Sequence, residues 1–85
     1  MAKSTDIRVK LNNVDEVKQF VEVMREYKGD VDVSAANKNY MVDGKSILGV
    51  ISLGLNDELT VKFYDGLSDS YMTVLKPFLS AVAVA

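Results

Sequence analysis

A chain of 85 residues, 48% hydrophobic and 26% charged with a formal charge of −2, describes one small globular domain that must bury most of its apolar side chains in a single core. It has neither cysteine nor histidine, which excludes a disulfide framework and the usual zinc and thiolate sites and leaves only carboxylates as metal ligands. Lys and Arg number ten against twelve Asp and Glu and are scattered, so no basic footprint for nucleic acid is visible and protein partners are expected instead.

Met1 to Lys10 is polar and charged, without the apolar stretch of a secretory signal. The longest apolar run, Ala81 to Ala85, is far short of the ~20 residues that cross a bilayer, so a cytoplasmic location is expected. Ile7, Val9 and Leu11 alternate with Arg8 and Lys10, the period of a strand with one buried face. Asn12-Asn13 breaks the alternation. Asn13 with Glu16 three residues on then reads as a capping box opening a helix, with Asp15 and Glu16 near the positive end of its dipole. Val14, Val17, Phe20, Val21, Met24 and Tyr27 recur at helical spacing, and Gly29 is expected to end the helix as a left-handed cap.

Val31, Val33 and Ala35 alternate with Asp32 and Ser34, and Tyr40 and Val42 resume the alternation after Asn37-Lys38-Asn39, which predicts a β-hairpin. Ser46 is a natural N-cap for a two-turn helix from Ile47 to Leu53, stopped at Gly54. Leu59, Val61 and Phe63 predict a fourth strand closed by Asp65-Gly66. Ser68 caps a last helix whose apolar stripe runs through Leu75, Phe78, Leu79 and Val82, with a kink or early end expected at Pro77. The order β-α-β-β-α-β-α predicts an α+β fold with one mainly antiparallel four-stranded sheet and helices on one face.

The eleven residues Lys45-Ser46-Ile47-Leu48-Gly49-Val50-Ile51-Ser52-Leu53-Gly54-Leu55 resemble the second helix of HPr, the phosphocarrier of the bacterial sugar phosphotransferase system. From about Asp30 to Leu55 the chain can be laid on the HPr pattern without gaps; elsewhere the likeness is one of element order and apolar spacing. The resemblance implies an open-faced β-sandwich, with residues 1–85 forming a single HPr-like domain. HPr-like proteins carry a Gly-x-His-x-Arg-Pro signature between the first strand and first helix, where the histidine accepts the phosphoryl group and the arginine helps to hold it. Here that stretch is Asn12-Asn13-Val14-Asp15-Glu16-Val17-Lys18, and Asp15 stands where the histidine would be.

Phosphohistidine transfer depends on a nucleophilic imidazole nitrogen and a labile P–N bond, neither of which this chain can supply. An acyl phosphate on Asp15 would need a metal and cationic neighbours. A helix-start carboxylate is the preferred reading of Asp15, with permanent mimicry of a phosphorylated histidine as a third. Ser46 read from its surroundings is a cap; the resemblance makes it a regulatory phosphorylation site as well, and the two roles are compatible.

The same resemblance assigns Ile47, Leu48 and Ile51 to docking of protein partners, while Val50 and Leu53 are expected to cap the core. The implied partners are phosphotransferase-system enzymes, an HPr kinase/phosphorylase or a carbon-regulation protein, with no cofactor, metal, nucleic acid or membrane. The alternative is a structural or self-associating module that uses its sheet edge or apolar tail. Catalysis by Asp15 and Glu16 is the weakest reading, because adjacent helical residues point about a quarter-turn apart.

Overall fold

Alternation in the first segment produces strand β1 (Thr5–Lys10), and the Asn13 cap that follows starts helix α1 (Val14–Glu26). A computed structural model describes residues 4–79 of the chain. The remaining elements are β2 (Val31–Ala35), β3 (Met41–Asp43), α2 (Ile47–Ser52), β4 (Glu58–Phe63) and α3 (Asp69–Leu75), followed by a 3-10 turn over Lys76–Phe78. Val82 and the Ala81–Ala85 run, read above as stripe and tail, lie outside the described residues.

The strands form one fully antiparallel sheet in the order β1-β4-β2-β3. Thr5 and Val31 both sit opposite Phe63, and Val9 and Ala35 both sit opposite Leu59, so each apolar row runs across three strands on the same face. Val9, Val33, Leu59, Val61 and Phe63 are fully buried on that face. Against it pack Val17, Phe20, Val21 and Met24 of α1, Val50 and Leu53 around α2, and Leu75 and Phe78 at the end of the described chain. The alternate residues Arg8, Asp32, Ser34, Thr60 and Lys62 are only partly covered or exposed, so the sheet is open on its other side.

Three sequence expectations need correction. Gly29 does not cap α1: the helix ends at Glu26, and Tyr27 leaves it with extended backbone at φ −71°, ψ 133°. Tertiary packing causes the early exit. The Tyr27 ring meets Phe63 edge-on at 5.0 Å, while its hydroxyl donates to the Gly66 carbonyl at 2.6 Å and accepts from the Asp65 amide at 3.0 Å. A Cβ at Gly29 would lie 1.9 Å from Oδ2 of the exposed Asp65 side chain, which can swing aside, and 2.9 Å from the Tyr27 ring. Val14, counted in the buried stripe, is 43% exposed at the first position of α1. Tyr40 precedes β3 instead of belonging to it, and its hydroxyl donates to the Ser52 carbonyl at 3.2 Å. The expectation at Pro77 holds: α3 stops at Leu75 and proline falls inside the following 3-10 turn, where its missing amide costs no α-helical bond.

Tyr71 of α3 donates its hydroxyl to the Val23 carbonyl of α1, and burial, then the Glu26 and Tyr27 charges, push its pKa up to about 12. Its folded-state pKa lies above the ordinary value of 10.0. The fold therefore holds this proton more tightly than the unfolded chain does, and the resulting stability is complete below pH ~10 and is lost as pH rises toward ~12. Tyr71→Phe should flatten the fall in urea midpoint between pH 10 and 12 while losing about 1 kcal/mol at pH 8. An alkaline profile identical to that of the parent chain would refute this assignment.

Candidate docking surface and phosphorylation site

At the start of α1 the backbone and side chains close on each other. Asn13 Oδ1 accepts from the Glu16 amide at 2.9 Å as the sequence predicts, but Glu16 Oε1 accepts from the Asn12 amide at 2.8 Å, one residue before the cap. The expected capping box therefore forms only in its first half, and the return bond is shifted by one position. Asp15 lies exposed on the first turn beside this closed pair. One further hydrogen bond, from the Asn56 amide to the Leu11 carbonyl at 2.8 Å, ties the loop leaving α2 to the segment entering α1. That loop turns through two left-handed residues, Gly54 at φ 107° and Asn56 at φ 67°. Gly54 is suited to such a turn because it has no Cβ to clash; Asn tolerates it better than most residues do.

Helix α2 starts as its sequence predicts. Ser46 Oγ accepts from the Gly49 amide at 3.1 Å and the Ser46 carbonyl accepts from the Val50 amide at 3.0 Å. Val50 and Leu53 point into the core, at 1% and 0% exposure. The three residues assigned to docking are not equivalent. Leu48 is 81% exposed, whereas Ile47 and Ile51 are partly buried against the core and offer only their outer edges. Two exposed apolar residues missed in the sequence, Val14 and Leu55, adjoin the segments joined by the Asn56–Leu11 bond. Val14 is hidden from sequence reasoning because it shares the helical period of the core residues. No hydrogen bond or ion pair joins Asp15 to Ser46 among the described residues.

Ser46 has its own charged surroundings. Its amide donates to the Asp43 carbonyl at 3.0 Å, and the Lys45 amide donates to Asp43 Oδ1 at 2.9 Å. Lys45 Nζ donates to the Tyr27 carbonyl at 2.7 Å. Arg25, in the last turn of α1, donates its Nε to the Lys45 carbonyl at 3.3 Å. Sequence reasoning missed Arg25, which is twenty positions from Lys45 and reads locally as an ordinary basic residue at a helix C-terminus.

On the open side of the sheet a polar depression of about 410 Å³ is lined by Asp30, Asp32, Asp43, Lys45 and Tyr64. Tyr64 donates its hydroxyl to Asp32 Oδ2 at 2.6 Å, and this bond raises the Tyr64 pKa above its ordinary 10.0. Among the described residues no cluster of three carboxylates is placed to hold a metal ion.

The family model described as "PTS HPr component phosphorylation site" matches residues 3–76, a span that contains the capped α1 start, Ser46 and all of α2. The chain belongs to the HPr family. The crystal structure of phosphocarrier protein HPr from Bacillus anthracis str. Ames matches it with a TM-score of 0.66 at 19% identity, covering 91% of this chain and 98% of that one. HPr-C-His from Thermoanaerobacter tengcongensis matches at TM-score 0.64 and 21% identity, covering 88% of each chain. These structural likenesses are likenesses of fold: the antiparallel sheet, open on one side, with the βαββαβα order expected from the sequence. A search of curated proteins finds no match. Membership places the chain in the phosphocarrier family of the phosphotransferase system, and among the described residues no helix is long and apolar enough to cross a membrane.

Proposed function

We propose that this HPr-family protein works in the cytoplasm as a regulatory binding module of the phosphotransferase network, not as a phosphohistidine carrier and not as a catalyst. The observation that carries this reading is the α1 start. Asp15 occupies the expected acceptor position, Glu16 fills the adjoining cap, and the chain contains no histidine. A phosphoryl group brought there would find no imidazole to receive it and two carboxylates to repel it. Support for a switch at Ser46 comes from its place at the head of α2, next to the exposed Leu48. Phosphorylation there would form an Oγ–P bond as the bond between the β and γ phosphates of ATP breaks, releasing ADP and the hydroxyl proton. The added charge, about −1.5 to −2, would change which partner the surface accepts.

Intact mass decides the matter. The protein is incubated separately with phosphoenolpyruvate plus enzyme I and with ATP plus an HPr kinase/phosphorylase. A gain of one phosphate is expected only with the kinase, and none is expected in Ser46→Ala. That variant also loses its cap bond to Gly49, at about 1 kcal/mol, so its folding is checked first by urea titration. Modification by enzyme I would overturn the loss of carrier function, and modification of Ser46→Ala would overturn the assignment of the switch. No gain in either arm would leave Ser46 a cap and the protein a binding module without this switch.

A further inference from the structure

We propose that Arg25 is the intrachain receiver of a phosphoryl group on Ser46, so that modification fastens the end of α1 to the head of α2 as well as adding charge. The inference rests on Ser46 being the modified residue. Its geometric basis is the bond from Arg25 Nε to the Lys45 carbonyl at 3.3 Å, because that carbonyl belongs to the peptide leading into Ser46. The guanidinium thereby lies against the residue that precedes Ser46. Its other charged contact is weak: Nη1 lies 3.7 Å from Glu22 Oε2, between side chains 51% and 73% exposed. An ion pair that long and that open to solvent is readily exchanged for a better one.

A phosphoserine is the better partner. It offers three acceptor oxygens and nearly twice the charge of a carboxylate, and the planar guanidinium can meet two of those oxygens at once. The other charged groups around Ser46 set the background. Lys45 Nζ is committed to the Tyr27 carbonyl at 2.7 Å, a partly buried bond that holds the α2 approach against the end of α1. Asp43 stays close through Oδ1 on the Lys45 amide at 2.9 Å, and its charge opposes the phosphate. Glu22 opposes it too once Arg25 turns away. Among the described residues Arg25 is the cation whose side chain bonds the peptide leading into Ser46, Lys45 adding its charge from its place on the Tyr27 carbonyl. The exchange of partners by Arg25 would link two helices that already pack on each other.

The test uses full-length protein made by chemical ligation with phosphoserine at position 46, so it needs no kinase. The second phosphate pKa, ordinarily ~6, is titrated by phosphorus NMR in the Arg25 protein and in Arg25→Gln. A neighbouring cation favours the dianion, so the Arg25 protein should titrate about 0.5 unit lower, the size expected of one partly exposed ion pair. Arg25→Lys, which keeps the charge and loses the fork, should fall between the two. Phosphorylation should also change Tm more favourably in the Arg25 protein than in Arg25→Gln, with the unphosphorylated pair as reference. Equal phosphate pKa values in the Arg25 protein and in Arg25→Gln would overturn the proposal. The kinase assay above asks whether Ser46 is modified; the titration asks what the phosphate meets, so each can fail while the other stands.

Discussion

Phe63→Ala is expected to cost about 3–5 kcal/mol and to lower Tm by roughly 20 °C, leaving the chain close to unfolding at ambient temperature. The size follows from where β4 sits. It is flanked by β1 and β2, and Phe63 is opposite Thr5 on one side and Val31 on the other with no exposed surface. Its ring is the meeting point for Tyr27 at 5.0 Å and Tyr71 at 6.1 Å, so truncation opens a cavity and strips edge contacts from both tyrosines. A domain of this size has only ~5–10 kcal/mol in total, so one such loss consumes much of it. Urea unfolding followed by circular dichroism checks the expectation; a loss below about 1 kcal/mol would mean that the aromatic cluster is not where the core is strongest.

Leu48→Glu should show the opposite profile. At 81% exposure the side chain has little packing to lose, and the urea midpoint should stay within about 0.5 kcal/mol of the parent. If α2 is the docking face, affinity for the HPr kinase/phosphorylase should fall at least 10-fold, because a carboxylate would have to be desolvated at the centre of an apolar contact. Leu48 is a cleaner probe than Ile47 or Ile51. Those two are half-buried against the core, so a glutamate there would mix a folding defect with a binding one. Calorimetric titration giving unchanged affinity for a folded Leu48→Glu would remove α2 from the interface.

What could be read in the sequence was what is decided within a few residues. The Asn13 cap, the Ser46 cap and the stop at Gly54 are each decided within one turn, and all three stand in the structure, although Glu16 returns its bond to Asn12 and not to Asn13. Gly29 misled because α1 is ended by Tyr27, whose ring and hydroxyl are drawn to Phe63 and Gly66 nearly forty positions later. Helical period alone assigned Val14 to the core, yet it is the first residue of α1 and the sheet does not reach it. The site divides in the same way. Ser46 and its helix are visible locally, whereas Arg25 comes to the Lys45 carbonyl only through the packing of α1 on α2.

The strand order also bears on how the chain is made. β1 pairs with β4, and at Val9 also with Leu79, and both partners follow α1, the β2–β3 hairpin and α2 in the chain. At ~5–20 residues per second, an early strand with apolar Ile7 and Val9 waits for seconds without its neighbour, while α1 and the hairpin can already form from local contacts. Completion of the sheet is thus held back until a late segment emerges from the ribosome, and during that interval the β1 edge stays unpaired by β4.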